Sequence, residues 1–272
     1  MKKRPLLFLL FAGLLGGAGA GWCYRDRIMS AVNHLGVLPG KPVPQPQPER
    51  YAVLKQEAES WRAAHDAKYR ACRTEAQREA VLGETRAYLE TLLPEMMRCW
   101  TGTPWDFNGT APGPGEGKIA CGYFVATVLK DAGFRVDRYK LAQQDSQSIL
   151  LTFLPKKELK IEAGTPYAKF AAALRTAEPG VRIIGLDHHV GFAVTTADGH
   201  FHFIHSSGLA PWCVVDEEEK DAESLRRSNY REQGLLTANR EVLQQWLSGK
   251  PLAVKEPGQP AGKKPVTALI SE

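Results

Sequence analysis

The chain has 272 residues and a formal net charge of +5. Lys2, Lys3 and Arg4 carry three of those charges and the stretch from Gly249 to Glu272 carries two, which leaves residues 5–248 neutral. A neutral body offers no clustered basic face, so the charge pattern argues against a nucleic-acid-binding protein.

The N-terminus combines a basic start, an apolar run from Leu6 to Leu15 and a small-residue segment from Gly16 to Gly21. Ala18-Gly19-Ala20 fits the small-x-small pattern read by signal peptidase, so residues 1–20 are read as an export signal cleaved after Ala20. The alternative is an uncleaved anchor running to Tyr24, long enough to span a bilayer if its glycines are tolerated. Trp22 stands where lipoprotein processing at Cys23 would need a small residue. Either way the working part is expected outside the cytoplasm, in the periplasm or cell envelope, with N-terminal membrane association left open.

Residues 21–49 read as a spacer, because Gly36 to Glu49 carries five prolines among Gln, Lys and Gly. Residues 50–98 read as helical. Tyr51, Leu54, Ala58, Trp61 and His65 alternate at spacings of three and four, which marks one packing face. A second helix starts with Thr74-Glu75-Ala76-Gln77 as a capping box and places Ala80, Val81, Ala87, Tyr88, Leu92 and Met96 along its face. Trp61 and Met96 are expected in the core. From Trp100 the composition shifts to Gly, Thr, Pro and Asn, and residues 99–249 are assigned to the principal α+β domain. Residues 250–272, rich in Pro, Gly and Lys, are expected to be disordered.

Five cysteines occur, at positions 23, 72, 99, 121 and 213, and an odd number leaves at least one unpaired in an oxidising compartment. Cys72 with Cys99 is one possible bridge. Cys121 follows a Gly- and Pro-rich loop, Thr110 to Gly117, and opens an apolar pattern at 121, 124, 125, 128, 129 and 132 that stops at Gly133. This puts Cys121 on the first turn of a helix, where free N–H groups and the helix dipole favour a thiolate. The rival reading is a buried core cysteine.

Strand signals fall at Val181–Leu186, His189–Thr195 and His200–His205, and a last helix at Arg240–Leu247. Ala197-Asp198-Gly199 separates the two histidine-bearing strands. A two-residue Asp-Gly turn would put His189 and His205 on opposite faces. A three-residue loop with Gly199 left-handed puts Gly191 opposite His205, and His189 then lies diagonal to His205 on the same face. His188 alternates with His189 and faces away. His200 and His202 share a strand face and would suit a metal, but no further Cys or carboxylate completes a ligand set, so neither metal nor cofactor is expected.

These residues resemble the NlpC-type peptidoglycan endopeptidases, a papain-like family with the CHAP amidases among its relatives. The resemblance runs from Trp100 to about Ser207. Gly102-Thr103-Pro104-Trp105 is similar to the family's Gly-x-Pro-Tyr segment, His189-Val190-Gly191 to its His-Val-Gly strand, and Ile204-His205-Ser206 to the strand bearing its third polar residue. Ala120-Cys121-Gly122-Tyr123 departs from the family's Asp-Cys-Ser-Gly, and Trp105 replaces a tyrosine. The resemblance implies a papain-like fold, with the nucleophile-bearing helix packed on an antiparallel sheet. It also implies a Cys121–His189–His205 catalytic set and peptidoglycan or a peptide as substrate. In that set Cys121 is the nucleophile, His189 the base and His205 its orienter, with the Cys121 N–H as one oxyanion donor. Two other readings stay open: an inactive papain-like module binding the envelope, and a thiol-dependent acyltransferase or thioesterase acting on lipids.

Overall fold

The computed structural model describes residues 44–257. The expected export signal, most of the spacer and the chain beyond residue 257 lie outside the described residues. Among the described residues no helix is long and apolar enough to cross a membrane.

Six antiparallel strands form one sheet in the order β1-β6-β2-β3-β4-β5, with β1 Lys160–Ala163, β2 Gly180–Leu186, β3 His189–Thr195, β4 Phe201–Ser206, β5 Val214–Glu218 and β6 Tyr230–Leu235. The helices are α1 Pro48–Ala71, α2 Glu75–Arg98, α3 Cys121–Asp131, α4 Arg138–Ala142, α5 Ser146–Phe153, α6 Tyr167–Arg175, α7 Glu223–Arg227 and α8 Arg240–Ser248. The fold is therefore mixed α+β, with helices packed on both faces of an antiparallel sheet.

Alternation along the strands decides which residues meet which layer. Ile183, Phe192, Ile204 and Val214 face α3, whose Phe124, Val125, Val128 and Leu129 are fully buried. Ile184, Leu186, Ala193, Phe201 and Phe203 face the other way, against Phe170 and Leu174 of α6 and Leu225 of α7. Burying each such side chain contributes roughly 1.5–3 kcal/mol.

The two N-terminal helices belong to the same core. α1 starts with Pro48 in its first turn, and α2 starts with the Thr74–Gln77 capping box in both directions. Tyr51 meets Trp100 edge-on at 5.6 Å, Trp100 meets Phe124 at 6.1 Å, and Phe124 meets Phe192 at 6.0 Å. This run of edge contacts carries one hydrophobic core from α1 through α3 to the sheet. Trp61 stacks on Tyr88 at 4.2 Å, beside Trp246 of α8, whose indole N–H donates to the Ala132 carbonyl at 2.8 Å. Met96 is fully buried.

Three sequence expectations change. Residues 44–47, read as spacer, pack on the body: the Gln47 N–H donates to the Cys99 carbonyl at 2.8 Å, and a Cβ on Gly102 would come within 2.0 Å of the Pro44 carbonyl oxygen. Residues 250–257, read as disordered, are docked as well. Leu252 N–H donates to Arg135 O at 2.8 Å, Lys255 N–H donates to Thr152 Oγ1 at 3.0 Å, Glu256 pairs with Lys140, and Val254 is buried. The Pro and Lys content hid an alternating apolar pair, Leu252 and Val254. Finally, Cys72 and Cys99 are both free. They cap opposite ends of the α2 hairpin arm, whose 24 residues measure about 36 Å at 1.5 Å per residue, far beyond disulfide reach.

Maleimide labelling of the denatured, unreduced protein is therefore expected to modify Cys72, Cys99, Cys121 and Cys213. A peptide linking Cys72 to Cys99 in the mass map would contradict this arrangement.

Candidate active site

Cys121 is the first residue of α3, as the apolar spacing indicated, and Ala120 caps the helix without a side-chain hydrogen bond. An uncapped start leaves the first-turn N–H groups directed at whatever lies before the helix. Several bonds hold that start in place. Ile119 N–H donates to Pro104 O, and Ala120 N–H to Gly109 O, each at 2.9 Å. The Ser206 hydroxyl, at the end of β4, donates to Ile119 O at 2.7 Å. Buried Arg138 donates to the carbonyls of Thr110 and Ala111 at 3.0 and 2.7 Å and to Thr127 Oγ1 at 2.6 Å, so one guanidinium ties the preceding loop to α3 and α4.

Gly122 stands where a side chain would not fit. A Cβ there would lie 2.5 Å from the Ala142 carbonyl oxygen, because α4 crosses closely over the start of α3. Serine has no room at this position.

The histidine hairpin takes the three-residue form. Gly199 is left-handed at φ 80°, Thr196 N–H donates to His200 O at 2.9 Å, and Thr195 pairs with Phe201. The ladder pairs Phe192 with Ile204, and the same register carried one step further sets Gly191 against His205. A Cβ on Gly191 would come within 2.7 Å of His205 Cβ, so the missing side chain makes the room that His205 occupies. His189 and His205 meet directly: His189 Nε2 and His205 Nδ1 are 2.7 Å apart, with the rings nearly perpendicular. His205 is fully buried and stacks on Phe203 at 4.3 Å.

Glu217 of β5 completes a chain of three side chains, its Oε2 lying 2.9 Å from His205 Nε2. Sequence reasoning missed it. Val215 pairs with His205 and Phe203 with Glu217, so Glu217 is diagonal to His205 on the same face. The only signal was a short polar stretch, Asp216-Glu217-Glu218, which reads as a solvated loop until the strand is known.

The ladder between β3 and β4 runs from Phe192–Ile204 to Thr195–Phe201. Beyond it the backbone N–H groups of Val190, Gly122 and Cys121 itself favour the ionised form of the Cys121 sulfur. The structure thus brings the thiol to the residue next to His189, and brings His189 to His205. Burial pushes the Cys121 thiol up, and those three N–H groups pull it back only in part. The helix start alone therefore does not hold a thiolate. Burial, then the neighbouring His205, drives His189 well below the usual imidazole range, and burial alone drives His205 to about 3. Both rings are neutral near pH 7.

A cleft of about 360 Å³ opens beside His189, lined by Leu186, Asp187, His188, Leu209, Ser224 and Arg227 among others. His188 occupies the β2–β3 turn and is exposed, as expected. His202 pairs with Asp216, at 2.6 Å between Nδ1 and Oδ1, and Asp216 also receives Arg98. Among the described residues, no group of three or more His, Cys, Asp or Glu is placed to hold a metal ion. Trp105 lies under Gly208 at the loop bounding the cleft and meets Trp212 at 5.8 Å, so its role there is one of packing.

Comparison with protein-family models, with curated proteins and with solved structures returned no match. The local geometry therefore carries the functional argument.

Gly122→Ser is expected to destabilise the fold by about 1–3 kcal/mol, because α4 must move off α3. A thermal melt checks this; an unchanged Tm would mean that α4 does not press on Gly122.

Proposed function

We propose that the protein is an exported, papain-like cysteine hydrolase that cleaves amide bonds, with the stem peptide of peptidoglycan as its substrate. The observation that carries the reading is the 2.7 Å contact between His189 Nε2 and His205 Nδ1, together with a helix-start cysteine whose thiolate is favoured by the amide of Val190, the residue after His189. A thiol, a neutral base and a group that orients the base are the three parts that nucleophilic acyl transfer needs.

In this mechanism His189 Nδ1, the ring nitrogen that His205 does not engage, takes the Cys121 proton. The sulfur attacks the carbonyl carbon, and a tetrahedral oxyanion forms and collapses to a thioester. The amine leaves with the proton that His189 returns to it. Water then attacks the thioester with His189 again as base, releasing the acid and restoring the thiol. The Cys121 N–H, at the uncapped start of α3, is the donor best placed for the oxyanion. His189 is unprotonated near neutrality and so can accept the thiol proton, with a basicity that burial has lowered below the optimum for proton transfer at that pH.

The cleft beside His189 sets Asp187, His188, Ser224, Arg227 and Ser228 within a mostly apolar surface that includes Leu186 and Leu209, a mixture that suits a peptide, whose backbone is polar and whose side chains are partly apolar. Peptidoglycan amides are kinetically inert, and a covalent route divides one hard step into two easier ones. Within that substrate, a cut between stem residues is favoured over the sugar–peptide cut, on the likeness of the His189-Val190-Gly191 and Ile204-His205-Ser206 strands to the endopeptidase branch.

Incubating the purified protein with peptidoglycan and resolving the products by mass tests the proposal. Shortened stems still joined to sugar are expected from the wild type and none from Cys121→Ala. Release of intact stems would indicate an amidase, and no product with reduced Cys121 would remove the hydrolase reading. His189→Ala is expected to lower the rate by about 10²–10⁴-fold, and His205→Ala by less, since the base transfers the proton and its partner orients it.

A further inference from the structure

We propose that Glu217 is a positioning residue for this site, acting through His205 to fix the tautomers of both rings so that His189 Nδ1 is left as the free base. The proposal deepens the hydrolase reading and rests on it for its biological meaning, whereas its geometry is independent of any substrate.

A neutral imidazole has one N–H and one bare nitrogen. Both nitrogens of buried His205 are engaged, Nδ1 with His189 at 2.7 Å and Nε2 with Glu217 at 2.9 Å. An ionised carboxylate can only accept, so it requires the proton of His205 on Nε2. His205 Nδ1 is then bare and accepts from His189 Nε2–H, which leaves His189 Nδ1 without a proton. Nothing else in the pair of rings prefers this order to its reverse. If Glu217 carries a proton, its O–H donates to His205 Nε2, His205 donates from Nδ1, and the proton of His189 sits on Nδ1. The thiol then has no base. The carboxylate thus decides, two residues away, which nitrogen faces the chemistry.

The surroundings of Glu217 place this change near neutrality. Asp216 and Glu218 flank it on β5, His205 faces it from β4, Asp221 and Glu223 approach from the turn and start of α7, and Tyr167 stands nearby on α6. The neighbouring cations are engaged elsewhere: Arg175 with Glu219, Lys220 with Glu218, and Arg226 with Glu223. Burial first, then Asp221, Glu223 and Asp216, raise the Glu217 carboxyl to about 7. The sign follows directly. Above about 7 Glu217 is ionised and His189 Nδ1 is free, and below it the tautomers reverse and the base is lost. His189 itself titrates well below its ordinary range, so a limb near neutrality belongs to Glu217.

The test measures the rate of Cys121 alkylation by iodoacetamide against pH, together with the 15N chemical shifts of the histidine rings. The wild type is expected to show an alkylation limb near pH 7 and His205 protonated on Nε2 above it. Glu217→Gln keeps the size but can donate as well as accept. It is expected to lose the limb, to react about 10- to 100-fold more slowly above it, and to show a mixture of His205 tautomers. Glu217→Asp is expected to restore part of the limb. A folded Glu217→Gln protein with the wild-type rate and limb would overturn the proposal. So would His205 carrying its proton on Nδ1 in the wild type, an observation that stands even if Glu217→Gln does not fold. Neither measurement uses a substrate, so an absence of peptidoglycan hydrolysis would count against the hydrolase reading alone.

Discussion

Phe124 of α3 lies edge-on against Phe192 of β3, both fully buried, and that contact determines where the site can form. With α3 fixed on the sheet by this ring pair and by Val125, Val128 and Leu129, its N-terminus falls where β3 and β4 stop pairing. A backbone amide that a continuous ladder would have consumed, that of Val190, is instead turned to the Cys121 sulfur. Removing the Phe124 ring would cost about 3–5 kcal/mol by the usual cavity argument and would release the one element that carries the thiol.

The sheet separates two tasks. One face packs α3 and the N-terminal helices; the other carries the His189–His205–Glu217 chain among Phe203, Phe170 and Leu225. Dry packing around His205 keeps both rings neutral, and the same dryness makes each of their hydrogen bonds directional and hard to replace. Ser206, next to His205 in sequence but on the opposite face, bonds the loop before Cys121, so adjacent residues of one strand hold both halves of the site.

Several charged groups are buried without an ion-pair partner among the described residues, and each is satisfied by neutral groups, backbone carbonyls for the arginines and side-chain donors for Glu232. Arg138 holds the loop before Cys121 through two carbonyls. Arg231 of β6 donates to the carbonyls of Leu225, Thr165 and Arg226. Glu232 is fully buried and receives Ser146, Gln147 and Tyr230. Burying such groups is tolerable only when their donors and acceptors are nearly all met, and these three tie loops and short helices to the sheet as a consequence.

Local chemistry made much of this legible in the sequence. The capping box at Thr74, the helix start at Cys121, the stop at Gly133 and the left-handed Gly199 all follow from residues that constrain backbone within a few positions. The Gly199 turn in turn decided that His189 and His205 share a face, because a strand's two-residue period converts one register step into a change of side. What the sequence by itself could not supply were the contacts made by polar stretches. β6, Tyr230-Arg231-Glu232-Gln233-Gly234-Leu235, reads as surface yet lies between β1 and β2, because its charges are met by carbonyls and hydroxyls far away in the chain. Glu217 was hidden for the same reason. A carboxylate in an acidic stretch has no pattern of its own, and only the pairing of β5 with β4 brings it within 2.9 Å of His205, where burial gives its proton a meaning.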